Sequence, residues 1–272
     1  MQLSLKEILK FIQDGSYLKL KQVEEKLYLL KNMIRAEQDE LNLKRMVWKE
    51  LGVIGEFETY RQYSYNHLDL NVLLLDLGIL HQNTYVKSGE LLEEDKEKLK
   101  HIQIPEKYIL RFTASKDFRE QISDSQFDSN INNVGLFAKV ALWRESFNKF
   151  ELLNSRWEKE RMRALESSGC KLSKKVTISS GMISIVESPS RYRTDMVVDI
   201  LGLETILKRA RVDQNKLVEY TARGFLKKKE INNLRKVIAV NRRYLLMTTQ
   251  KEMKKKEYWN AKLIKLSELS QR

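Results

Sequence analysis

Cysteine is almost missing from this chain: Cys170 stands alone among 272 residues. A disulfide framework needs pairs and a Cys-based zinc site needs several thiolates, so both are excluded. With no second thiol to resolve an oxidised form, Cys170 is expected to be dispensable. Proline (2) and glycine (10) are scarce, which excludes collagen-like and Pro/Gly-rich low-complexity chains. Only three histidines occur, His67, His81 and His101. Metal-binding pairs usually sit about three to five residues apart on one helix or hairpin, and these do not, so no metal is expected.

Long apolar runs are absent too. The longest pieces, such as Val72 to Leu75, fall far short of the roughly 18 residues of a membrane span. Near the N-terminus, Lys6, Glu7 and Lys10 interrupt the apolar residues, which predicts an amphipathic helix rather than a signal peptide. A cytoplasmic protein with no membrane partner is the resulting expectation. The phosphate-loop, dinucleotide-binding, nucleophile-elbow and kinase motifs are all missing. No catalytic residue or cofactor is indicated, and carboxylate–Lys triplets such as Glu94-Asp95-Lys96 read as surface i,i+4 pairing.

What is present is charge on a chain apolar enough to fold. Hydrophobic residues make up 42% of the sequence, and 50 Lys and Arg outweigh 37 Asp and Glu to give +13. The excess is confined to one side. Residues 1–160 hold 24 basic and 26 acidic residues, whereas residues 161–272 hold 26 and 11. Such asymmetry points to a polyanion partner, with a solvated Lys-rich face as the competing reading.

Helical spacing dominates the apolar pattern. Leu20, Val23, Leu27, Leu30, Ile34 and Leu41 step by three, four and seven residues, a coiled-coil seam that predicts a helix over 17–51, closed by Gly52. Leu136, Val140, Trp143, Phe147, Phe150 and Trp157, with Asn154 inside the seam, predict a second over 134–167. The matched seams predict that these helices pack together, so that Leu27→Asp or Phe147→Asp would be costly. Residues 175–187, with Val176 and Ile178 alternating before Ser180-Gly181 and Ile183 and Ile185 after it, predict a β-hairpin. A third long helix is expected from about Lys229 to Leu269, with a seam at Leu234, Ile238, Asn241 and Leu245. Tyr60, Tyr63 and Tyr65 read first as packing residues and second as a base-stacking platform.

The fold class expected is mainly α: long antiparallel, coiled-coil-like helices with a small β-hairpin or strand element. Two regions follow: 1–133, helical, and 134–272, with the hairpin and the basic helices. Within the second, Asp213 caps a helix, Gly224 turns it, and Lys227, Lys228 and Lys229 lead into the next, the outline of a helix-turn-helix. Arg235 and Arg242, seven residues apart, would then share one face. The candidate nucleic-acid contacts are Arg209, Arg211, Lys227, Lys228, Lys229, Arg235, Lys236, Arg242 and Arg243. The function expected is non-enzymatic binding of DNA or RNA through the phosphate backbone. The alternatives are a structural or adaptor protein working by coiled-coil protein–protein contact or self-association, and a metal-dependent nuclease.

Overall fold

The computed structural model describes residues 5–102, 108–123, 131, 133–167 and 175–271. In chain order its elements are α1 (Lys6–Gln13), α2 (Ser16–Glu40), β1 (Arg45–Trp48), β2 (Val53–Tyr65), α3 (His67–Asp76), α4 (Leu80–Asn83), β3 (Thr84–Lys87) and α5 (Glu93–Lys98). Then come β4 (Tyr108–Ala114), α6 (Lys116–Ser123), α7 (Leu136–Ser167), β5 (Val176–Ile178), β6 (Gly181–Glu187) and β7 (Arg191–Arg193). The rest are α8 (Thr194–Leu201), α9 (Leu203–Arg209), β8 (Arg211–Val212), α10 (Gln214–Ala222), α11 (Lys228–Asn233), β9 (Arg235–Thr248) and α12 (Thr249–Leu269).

This is a mixed α/β protein, which overturns the expectation of long coiled-coil helices carrying a single hairpin. Among the described residues there are twelve α-helices, most of them short, and three three-stranded antiparallel sheets, ordered β1-β2-β9, β7-β3-β8 and β4-β6-β5. Two of the three expected long helices are shorter than predicted. The first stops at Glu40, where Asn42 adopts a positive φ of 54°, and Arg45–Trp48 pairs with β2 as an extended strand. Gly52 does take the left-handed conformation, but it closes a short 3-10 turn instead of the helix. The third breaks after Asn233 into β9. Val237, Ile238, Val240 and Thr248 are β-branched, and Tyr244 is aromatic. Their stiff side chains favour a pleated surface over a helix, and that preference prevails over the weak heptad.

The chain forms two compact units. The first comprises residues 1–58, 108–187 and 243–252, and the second 59–107, 188–242 and 253–272. In the first unit α2 and α7 pack antiparallel. Tyr17 at the start of α2 meets Trp157 late in α7, ring centroids 4.8 Å apart, while Glu37 near the end of α2 pairs with Lys139 at the start of α7. Leu30 and Ile34 share a core with Val140, Trp143, Phe147 and Tyr244. A second cluster gathers α1 and the sheet β4-β6-β5. The predicted hairpin is there as β5 and β6, paired from Val176↔Ile183 to Ile178↔Gly181, with its turn at Ser179-Ser180, one residue earlier than expected. In the second unit α3, α8, α9, α10 and α11 bury Leu70, Leu74, Val197, Ile206, Leu217 and Ile231 against β3 and β8. No helix among the described residues is long and apolar enough to cross a membrane.

Candidate nucleic-acid interface

The basic residues singled out in the sequence fall into separate groups. The helix-turn-helix reading is half right at its start. Asp213 accepts hydrogen bonds from the Asn215 and Lys216 N–H groups, and Gly224 takes a φ of 81°. Leu226 is buried, but Phe225 is exposed. The helix that follows is then only six residues long, so there is no recognition helix. Lys227, Lys228 and Lys229 sit exposed at its start. Arg235, Lys236, Arg242 and Arg243 lie on β9. Residues seven apart in a strand point to opposite faces, so Arg235 and Arg242 do not form the common stripe that a helix would give them. Arg235 stacks over the Tyr63 ring at 4.1 Å. Arg243, in the first unit, is held by Glu58 through bonds of 3.1 and 2.7 Å.

Arg209 and Arg211 belong to a different arrangement, assembled by the sheet β7-β3-β8. In that sheet Lys87 lies opposite Arg191, and Tyr85 lies opposite Arg193 on one side and Arg211 on the other. Directly opposed residues in an antiparallel pair share a face, as do residues two apart on a strand. Tyr85, Lys87, Arg191, Arg193 and Arg211 therefore occupy one face. The opposite face carries Thr84, Val86 and Val212, all buried, and Tyr192, which packs on the core. The sequence alternates accordingly as Tyr-Val-Lys and Arg-Tyr-Arg, cation out and apolar in.

Local contacts fix the cations of this face. The Arg191 guanidinium lies 5.0 Å from the Tyr85 ring centroid, and Arg193 makes a two-point bond to Asp195. Glu90 accepts from Arg211 Nε at 2.8 Å and lies 3.7 Å from Lys87 Nζ, while its backbone carbonyl accepts from Arg209. Four cations on the face against Glu90 and Asp195 leave a net charge of +2. Burial pushes the Glu90 carboxyl up, but the hydrogen bond and charge of Arg211, with those of Lys87, more than offset it and hold the pKa below its ordinary value.

His67 lies within electrostatic reach of the same group. Burial lowers its pKa, and the positive charge of Arg211 lowers it further; its Nδ1 is buried without a hydrogen-bond partner. Because the unfolded chain takes up this proton more readily, the contribution of His67 to stability is present above about pH 6.5 and is lost as the pH falls from there toward the lower folded value. His67→Gln should therefore flatten the loss of stability between about pH 7.5 and 5.5, measured by urea titration at each pH. Identical losses in parent and variant would rule this out.

Sequence reasoning missed Tyr85, Lys87, Arg191 and Arg193. The segment around Pro189 reads as a linker, and the alternations are only three residues long on each side. The four cations are neighbours only after long-range strand pairing. Among the described residues no three His, Cys, Asp or Glu converge as metal ligands, and Cys170 lies outside the described residues. No protein-family model, curated protein or solved structure matches the chain.

Proposed function

We propose that this is a non-enzymatic nucleic-acid-binding protein that grips the phosphate backbone of DNA or RNA through the cationic face of β7-β3-β8. The observation that carries the reading is the grouping of Lys87, Arg191, Arg193 and Arg211 around Tyr85 on one sheet face, with the other face committed to the core. Closely spaced guanidiniums suit phosphate oxygens, and an aromatic among them offers a surface for a base. Lys227, Lys228, Lys229, Lys236 and Arg242, all exposed in the same unit, extend the positive surface. Phosphate contacts orient a nucleic acid without reading its sequence.

The test is fluorescence anisotropy with a random duplex, a single strand and an RNA at two salt concentrations. Six phosphate contacts would give a log–log salt slope of roughly −5 on a duplex. Reversing Lys87 and Arg191 together should weaken binding on all sequences about equally, by tenfold or more. Reversing Lys26 and Lys31 on α2 should change it little. If no probe binds more tightly than about 100 μM at low salt, the basic half is merely solvated.

The adaptor reading has its own observation. α12 buries no side chain, and Met253, Trp259, Leu263 and Ile264 are exposed along it. Exposed apolar groups of this kind suit a protein partner. A sedimentation mass of twice the chain mass, returned to the monomer value by Leu263→Glu, would favour it.

A further inference from the structure

We propose that a two-stranded β-ribbon in the second unit enters the major groove of double-stranded, B-form DNA, which makes the DNA duplex, and not RNA, the polyanion this protein takes. The inference deepens the nucleic-acid reading and rests on it. The ribbon is the end of β2, from Thr59 to Tyr65, beside the start of β9, from Arg235 to Arg242. The two strands are neighbours in their sheet, and at the foot of the ribbon the Asn66 N–H donates to the Leu234 carbonyl at 2.9 Å. β1 pairs with β2 only from Val53 to Glu56, so among the described residues no third strand accompanies the ribbon.

Exposure sets this segment apart from the other sheets. β7-β3-β8 buries Val86 and Val212 on one face, and β4-β6-β5 buries Leu110 and Ile183. No residue of the ribbon is buried on either face. Tyr60, Val237, Ile238 and Val240 are between 43 and 62% exposed. Ile238 and Val240, two apart on one strand, share a face. Apolar side chains grouped on an open surface mark a place for a partner.

Charge chooses the partner. The ribbon carries Arg61, Arg235, Lys236 and Arg242 and no Asp or Glu, a net charge of +4. Arg61 and Lys236 are exposed and make no ion pair with a described residue. A second copy would bring like charges together along the ribbon's edges, which opposes strand pairing. A polyanion meets no such repulsion. Width then selects the form of nucleic acid. The major groove of B-form DNA, about 12 Å wide, admits a two-stranded ribbon, and its thymine methyl groups suit apolar side chains. The deep, narrow major groove of an A-form RNA duplex does not admit one. The ribbon also starts beside the cationic sheet face. Tyr65 at its foot lies 6.4 Å from the His67 ring, and His67 feels the charges of Arg211 and Lys87. Ribbon and sheet face can therefore hold one duplex, the first in the groove and the second on the phosphates.

Fluorescence anisotropy of the full-length protein with a DNA duplex, and with the RNA duplex of the same sequence, tests this. The DNA is expected to bind at least about tenfold more tightly at the same salt concentration. In Arg61→Gln/Lys236→Gln the log–log salt slope on DNA should become shallower by about 1.8, at about 0.9 for each lost phosphate contact, and the slope on RNA should not change. Both positions are exposed, so the variant is expected to melt with the parent. Dimethyl sulfate reports the groove, because guanine N7 lies in the major groove and adenine N3 in the minor. The bound protein should protect guanine N7 and leave adenine N3 reactive. Equal affinity for the two duplexes, an unchanged DNA slope in the variant, or protection of adenine N3 alone would each overturn the ribbon's place and leave the nucleic-acid reading standing. Binding to neither duplex would remove both. Sedimentation at twice the chain mass, returned to the monomer value by Ile238→Glu, would assign the ribbon to a second copy instead.

Discussion

Gly55→Ala should destabilise the first unit by about 3–5 kcal/mol, one of the largest effects of any single methyl group in this protein. Gly55 lies on β2 opposite Met46 of β1. A Cβ there would fall 2.2 Å from the Tyr244 hydroxyl oxygen, 2.4 Å from Gln38 Oε1 and 3.1 Å from the Trp48 ring. None of these neighbours is free to move. Gln38 is fully buried; its amide donates to the Leu43 and Gly55 carbonyls at 2.9 and 3.2 Å, and its Oε1 accepts from Tyr244 at 2.8 Å. Making room for a methyl breaks the Gln38–Tyr244 bond and strands two buried polar groups, each costing about 1–3 kcal/mol. Tyr244→Phe removes the nearest obstacle. The double variant Gly55→Ala/Tyr244→Phe should then be less damaging than the two single changes added together. Urea unfolding of the four proteins measures this, and a Gly55→Ala protein within about 0.5 kcal/mol of the parent would refute it.

Ile34→Asp should cost about 4 kcal/mol or more, and Leu27→Asp only about 1–2 kcal/mol. The heptad spacing treats the two positions alike. The packing does not: Ile34 has no exposed surface and sits with Leu30, Val140 and Trp143, whereas Leu27 is half-buried at the margin of the same cluster. A carboxylate at 34 must either stay ionised in an apolar setting or take up a proton, while one at 27 can turn to water. Equal melting of the two variants would mean that the seam of α2 is buried evenly along its length.

Local chemistry was the legible part of this fold. Asp213 caps, Gly224 takes a positive φ, and the hairpin and α7 stand close to where the periodicity puts them. What misled was a short apolar pattern that fits two periods. Leu234, Ile238 and Leu245 can be written as a heptad, yet the segment is extended, and β-branching at Val237, Ile238 and Val240 was the overlooked discriminator. That error moved Arg235 and Arg242 onto one imagined face. The candidate interface was hidden for a different reason. Lys87 lies more than a hundred residues of chain before Arg191 and Arg211, and nothing in the spacing of a lone sequence reports that β3 takes β7 and β8 as neighbours.

The discontinuity of the first unit bears on its biosynthesis. β2 is the central strand of β1-β2-β9, but residues 243–248, which complete that sheet within the unit, are translated long after residues 1–187. At about 5–20 residues per second, the nascent chain waits on the order of several seconds between Glu187 and Tyr244. Through that interval one edge of β2 is open, and Gln38 has no tyrosine to cap its oxygen. Open strand edges recruit other chains. A ribosome stalled before residue 243 would thus release a product prone to aggregate, and no single cut in the chain divides the protein into its two units.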